Sequence, residues 1–317
     1  MKVCDLTQFY SPLSGGVKRY LHEKIGFVQR HRPGDEHLLI VPGAKDGVIS
    51  ADQSRIYTIR SPLVSRTSRY RALLNLRALG EIIEHERPDI IESADPYQVG
   101  WAALNAGKLR GIPVVAFYHS HFAEAYLRGP AARFGQGAAE LVMKAARGYT
   151  RNLYNRFETT FVPSQPLADV LQSWGVRNTR VAGLGVNTEI FRPADDRDST
   201  RETLGVSSER TLLLYVGRLA PEKNTRTLLT AFAQLTEKFP DRYHLLGIGD
   251  GTEREELKRL AAIAGHVTWI PYCADSAELA QYYRAADLFV HPGVEETFGL
   301  VALESQACGT PVVGIRG

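Results

Sequence analysis

Apolar and polar positions alternate in blocks along the whole chain, and the blocks read as strands separated by helices. Short apolar runs at residues 2–6, 36–41, 55–59, 89–92, 113–118 and 159–163 have the length of buried strands. Between most of them the apolar spacing shifts to every third or fourth residue, which predicts helices over 17–30, 68–87, 96–110, 131–155 and 165–174. In the first of these, Val17, Tyr20, Leu21, Ile25 and Val28 fall on one stripe. Such alternation implies right-handed crossovers and a parallel sheet covered on both faces. The pattern stops in the polar, turn-rich segment GVNTEIFRPADDRDST at 185–200 and restarts with runs at 211–216, 243–248, 266–270, 288–290 and 311–315. The expected organisation is α/β, with two doubly wound, Rossmann-like domains at 1–184 and 211–317 and a linker at 185–210. Two such domains leave a cleft lined by the carboxyl ends of strands, where sheets of this kind bind ligands.

Composition narrows the function classes. A length of 317 residues favours two domains, and 44% hydrophobic with 23% charged residues is ordinary for a chain that buries large cores. No apolar run reaches the roughly 18 residues that span a bilayer, and Asp5 interrupts the first apolar stretch, so a cytoplasmic location is expected. Cys4, Cys273 and Cys308 lie far apart with no C-x-x-C spacing and read as buried thiols. Residues 1–190 hold 24 Lys+Arg against 17 Asp+Glu, net +7, while the remainder holds 14 against 18, net −4. The excess comes largely from Arg55, Arg60, Arg66, Arg69, Arg71 and Arg77, and from Arg128, Arg133, Lys144, Arg147, Arg151 and Arg156. These are either solvated helix faces or a surface for an anionic membrane leaflet. No recognition module for nucleic acid accompanies them.

Candidate chemistry gathers at expected strand ends. The stretch DLFVHPGVEETFGLVALESQACGTPVV at 287–313 reads as a strand, a loop holding Glu296 and a helix from about 299 to 308 that places Glu304 at the edge of its apolar stripe. A carboxylate there needs a partner. Arg218 and Lys223 share the short loop GRLAPEKN at 217–224 beside a helix start, where two cations and free backbone N–H groups suit a diphosphate; an ordinary basic surface loop is the alternative. Gly15 and Gly16 before the first helix permit a similar approach. Beside phosphate-directed cations, Glu296 and Glu304 read as acceptors for hydroxyls, so a phosphorylated, polyhydroxylated ligand fits. His119 and His121 follow an apolar strand; without a further ligand cluster they read as a structural histidine or as polar groups lining the cleft rather than as a metal site. Asp196-Arg197-Asp198 reads as a solvated turn in the linker. Gly247 to Gly251 gives G-x-G-x-G, not the dinucleotide spacing, and leaves a glycine turn near a nucleotide at Gly249.

Together these segments resemble the family-4 glycosyltransferases, retaining enzymes of the GT-B fold that take sugar from a nucleotide diphosphate. The resemblance rests on SGGV at 14–17, AFYHSHF at 116–122, FVPS at 161–164, GVNTEIFRP at 185–193, GRLAPEKN, GIGDG at 247–251 and the Glu-x7-Glu stretch, in that order. It implies that Arg218 and Lys223 hold the donor diphosphate, with Gly16 and the backbone around Phe298, Gly299 and Leu300 nearby. It further implies that Glu304 binds the ribose hydroxyls, Glu296 the hydroxyls of the transferred sugar, and the segment at Tyr272 and Cys273 the base, with His119 next to the reacting sugar. The expected activity is metal-independent, retaining transfer of a hexose to an acceptor hydroxyl on a lipid or glycan, without a cofactor beyond the nucleotide-sugar donor. A 2-epimerase of the same fold and a non-catalytic nucleotide-sugar-binding protein are the alternatives. Members of the family generally continue beyond the strand at 311–315, so the C-terminal domain is expected to be truncated here.

Overall fold

The computed structural model of the chain describes residues 1–11, 15–64, 69–119, 127, 131, 133–264, 266–294 and 298–315. It divides into two compact units, Met1–Gly183 and Leu184–Gly317. In the first unit β1 (Lys2–Leu6), β2 (Glu36–Gly43), β3 (Gly47–Ala51), β4 (Ser54–Arg60), β5 (Ile90–Ser93), β6 (Val114–Phe117), β7 (Thr160–Val162) and β8 (Thr179–Val181) form one sheet. Its order is β3-β4-β2-β1-β5-β6-β7-β8, and α1 (Gly16–His31), α2 (Leu76–Glu86), α3 (Gln98–Arg110), α4 (Gln136–Tyr154) and α5 (Gln165–Ser173) join and flank the strands. The second unit opens with α6 (Arg197–Thr203). Its strands β9 (Thr211–Val216), β10 (Tyr243–Ile248), β11 (Val267–Ile270), β12 (Leu288–His291) and β13 (Val312–Gly314) lie in the order β11-β10-β9-β12-β13. Between them run α7 (Thr225–Lys238), α8 (Arg254–Ala264), α9 (Ser276–Ala285) and α10 (Leu300–Ala307). Named strands pair in parallel throughout, except β3 with β4.

The two-residue period of a strand accounts for the double-sided cores. On β2, Leu38 and Ile40 join Leu79 and Ile83 of α2, whereas Leu39 and Val41 meet Leu21 and Ile25 of α1. On β9, Leu212 and Leu214 pack with Tyr283 and Phe289, while Leu213 and Tyr215 pack with Leu228 and Phe232 of α7. Each such side chain removed from water contributes about 1.5–3 kcal/mol.

Departures from the expected elements have local causes. β3 adds an antiparallel hairpin at the sheet edge; all five of its residues are exposed, so no apolar alternation marks it. α2 starts at Leu76 rather than 68, because Asn75 caps it by accepting the Ala78 N–H at 3.2 Å and Arg69 sits at φ 54°. α4 starts at Gln136 because Gly135 takes φ 100°. The expected linker contains α6, and Asp196-Arg197-Asp198 is not a solvated turn: Asp196 accepts from Arg284 Nε at 2.6 Å and Arg197 ion-pairs with Asp287. Cys4 and Cys308 are buried, but Cys273 is half-exposed in the loop after β11, where burial and the Glu278 carboxylate push its thiol up to about 12. Among the described residues no helix is long and apolar enough to cross a membrane.

Candidate active site

Each sheet winds outward from two central strands, β1 and β5 in the first unit, β9 and β12 in the second. The crevice outside the carboxyl ends of such a pair is where doubly wound sheets hold ligands. In the second unit β9 runs into residues 217–224, and β12 runs through His291 and Pro292 towards α10. The two loops meet: Asn224 Nδ2 donates to Pro292 O at 3.1 Å.

The basic loop is held by its neighbours. The Tyr215 hydroxyl donates to Arg218 O at 2.7 Å, and Arg218 Nη1 lies 2.9 Å from Glu222 Oε1. Lys223 closes a 3-10 turn, Pro221–Lys223, and Asn224 at φ 54° turns the chain into α7. The Thr225 hydroxyl donates to the buried Glu253, which Arg226 Nε also approaches at 2.9 Å. Gly249 and Gly251 serve this loop directly. A Cβ at Gly249 would fall 1.9 Å from Gly217 O, and one at Gly251 2.1 Å from Leu219 O. Backbone bonds from Gly217 to Ile248 O (2.9 Å) and from Leu219 to Asp250 O (3.1 Å) need that approach.

Across the crevice, Gly299 at φ 78° starts α10 with Leu300, and Phe298 precedes it half-buried. A Cβ at Gly299 would lie 3.9 Å from His291 Nε2, so His291, unmarked by any sequence motif, sits in this crevice. Glu304 is fully buried, and its Oε2 accepts from the Tyr283 hydroxyl of α9 at 3.0 Å. Tyr272, after β11, is 41% exposed. Glu296, Ser14 and His121 lie outside the described residues. In the first unit Gly16 is exposed at the start of α1.

His119 follows β6. Its ring stacks on Phe117 with centroids 4.2 Å apart and meets Tyr20 edge-on at 4.8 Å. Burial pushes the imidazole down to about 3, with the Asp5 carboxylate opposing, so it is neutral at pH 7. Behind it lies a charged network. Tyr20 donates to Glu92 Oε1 at 2.9 Å, and Lys24 Nζ donates to Asp5 Oδ1 and Glu92 Oε2 at 2.9 Å each, while His37 bonds Asp5. Burial works against the Lys24 ammonium, but Asp5 and Glu92 outweigh it and hold its pKa well above the usual range. Burial likewise opposes the Asp5 carboxylate, which Lys24 and His37 hold below the usual range; at Glu92 burial wins and the pKa is raised. The network fixes α1, and with it Gly16, to β1 and β5. Tyr20 entered the sequence pattern only as an apolar-stripe position; Lys24, one helical turn later, was the available signal. A further buried carboxyl, Asp95, follows β5. Its Oδ2 accepts the Gln8 N–H at 2.8 Å, and Oδ1 has no hydrogen-bond partner among the described residues. Burial raises it to about 7.

Two family models match this chain: Glycosyltransferase Family 4 over residues 14–190 and Glycosyl transferases group 1 over residues 196–316. The first alone covers more than half of the sequence. The chain belongs to glycosyltransferase family 4. It is a nucleotide-sugar-dependent hexosyltransferase with the two Rossmann-like units of the GT-B fold. A relative, the GDP-mannose-dependent alpha-mannosyltransferase of Mycolicibacterium smegmatis, is 29% identical over 321 residues, 99% of this chain and 79% of that protein. The GDP-mannose-dependent alpha-(1-6)-phosphatidylinositol dimannoside mannosyltransferase of Mycobacterium tuberculosis is 28% identical, covering 100% and 80%. Among solved structures, sucrose-phosphate synthase of Thermosynechococcus elongatus matches with a TM-score of 0.77 at 21% identity, over 99% of this chain and 80% of that one. Anabaena HepE in complex with UDP and glucose matches at 0.71 and 21% identity over the same shares.

Proposed function

We propose that this chain transfers a hexose from a nucleotide diphosphate sugar to an acceptor hydroxyl with retention of anomeric configuration and without a metal. The observation that carries the reading is the contact between Asn224 and Pro292, which joins the basic loop to the strand leading into the acidic stretch at one switch point. GDP-mannose is the proposed donor, because relatives aligned over almost the whole chain are named for it. Arg218 and Lys223 face the departing diphosphate and supply the positive charge that a divalent ion would otherwise bring. In the free protein Glu222 neutralises Arg218, so the donor phosphate displaces or shares that partner. Gly249 and the backbone at Phe298, Gly299 and Leu300 line the donor; Glu304 takes the ribose hydroxyls, Glu296 those of the sugar, and the segment at Tyr272 the base. The acceptor attacks from the face the diphosphate leaves, and the departing phosphate takes its proton, so Glu296 and Glu304 orient the donor instead of attacking it. Neutral His119 offers a hydrogen bond beside the reacting sugar. The acceptor hydroxyl belongs to a lipid or a glycan, reached at a membrane surface through the basic first unit.

Incubation with GDP-mannose and an acceptor panel, followed by NMR of the product, tests this. The expected product keeps the donor's configuration and forms at an undiminished rate in EDTA. An inverted product contradicts the mechanism, and loss of activity in EDTA that Mg²⁺ restores contradicts the metal-independent reading.

A further inference from the structure

Part of the charge in the two basic segments is taken up within the first unit. In the first, Arg55 ion-pairs with Glu86 at 3.0 Å, Arg77 with Glu81 at 2.8 Å, and Arg71 donates to Ser61 O at 2.7 Å. In the second, Arg151 and Arg156 have no carboxylate partner among the described residues, and neither does Arg177. These three arginines border one hollow of about 670 Å³, together with Asn152, Asn155 and Asn178. Arg177 and Asn178 directly precede β8, and Asn155 and Arg156 precede β7, so the hollow lies at the amino ends of these strands. His119 and Asp95 follow the carboxyl ends of β6 and β5, at the opposite end of the strands.

The floor of the hollow is already fixed. Asn155 Nδ2 donates to Gly175 O at 2.9 Å and its Oδ1 accepts the Arg177 N–H at 2.8 Å; Asn178 Nδ2 donates to Tyr154 O and Phe157 O at 3.0 and 2.7 Å. Two of the arginine side chains are held as well. Arg156 lies over the Trp101 ring at 5.2 Å, and the Arg151 stem packs where Gly175 has no side chain, 2.8 Å from the position its Cβ would take. Gly175 sits at φ 90°, so its backbone also favours glycine there. Helices α4 and α5 end beside the hollow, and their carboxyl-end partial charges together come to about one negative unit. The three guanidinium charges exceed that, and like charges gathered around a polar floor with no carboxylate partner among the described residues leave room for an anion.

We propose that the hollow bounded by Arg151, Arg156 and Arg177 is a binding site for a phosphate-bearing group, carried either by an anionic lipid headgroup or by a soluble compound. The site stands on the first unit alone and goes beyond the transfer reaction. Three proteins test it: wild type, Arg151→Gln/Arg177→Gln, and Arg218→Gln as a control for phosphate at the donor loop. One arm compares melting temperature in inorganic phosphate and in chloride at equal ionic strength. The other pellets the proteins with phosphatidylcholine vesicles, with and without phosphatidylglycerol. Both arginines are exposed, so the double variant should melt like wild type in chloride. For a soluble ligand, phosphate stabilises wild type and Arg218→Gln but not the double variant, and vesicles bind none of them. For a lipid headgroup, only vesicles with phosphatidylglycerol bind, and the double variant partitions roughly 30-fold more weakly, equivalent to about 1 kcal/mol for each basic side chain near such a surface. Equal responses of wild type and double variant in both arms, or no response of the wild type, overturns the proposal.

Discussion

Asp95 is a carboxyl held where burial disfavours its charged form. It is 1% exposed, its carboxyl is raised by burial from 3.8 to about 7, and only the Gln8 amide and the Thr7 side chain counter that rise. A folded pKa above the unfolded one means the folded state holds the proton longer, so this contribution to stability is complete below pH 3.8 and is lost as pH rises to about 7. Asp95→Asn removes the titration. The variant should gain on wild type between pH 4 and 7, by up to about 1.4 kcal/mol per pH unit, with a constant difference above pH 7. Melting curves across that range check it; parallel curves would mean that Asp95 stays ionised. Nothing in the sequence marks Asp95, because the residues it meets, Thr7 and Gln8, lie far away in the chain, in the loop after β1. Arg218 is the converse case. Its partner Glu222 is four residues away and visible in sequence, yet the pairing still awaited the turn at Pro221–Lys223.

At the scale of the element, α1 is held by more than its apolar stripe. Leu21, Ile25 and Val28 are buried, but Lys24 from the same helix joins Asp5 of β1 to Glu92 of β5. Lys24→Met leaves two carboxylates, 3% and 10% exposed, facing each other without the cation. The expected loss is roughly 3 kcal/mol, the low end for breaking a buried pair because Lys24 keeps some solvent contact. It should shrink at acidic pH, where Glu92, already raised, takes up a proton. Denaturant titration measures both effects, and a loss below about 1 kcal/mol at pH 7, typical of a surface pair, would contradict the network. Strands and helices with strong apolar periods were legible in the sequence. Those set by hydrogen bonds were not: β3 has no buried face, and α2 and α4 start where Asn75 and Gly135 put them.

For the whole molecule, alternating strands and helices disclosed two doubly wound sheets, and the ordered motifs disclosed the family. What stayed hidden was how the motifs serve one another. GIGDG reads as a glycine turn near a nucleotide, and the structure adds that Gly249 and Gly251 let one backbone lie against the loop that carries Arg218. Glu304 read as a carboxylate in need of a partner, and Tyr283, on a different helix, supplies it at 3.0 Å. The account's central claim is that this loop stabilises the charge of a departing diphosphate. Turnover of Arg218→Ala with GDP-mannose and an accepted acceptor tests it most directly. The expected fall is roughly 10²- to 10³-fold, the loss seen when one preorganised charge-stabilising donor is removed. Turnover close to that of the wild type would contradict the claim.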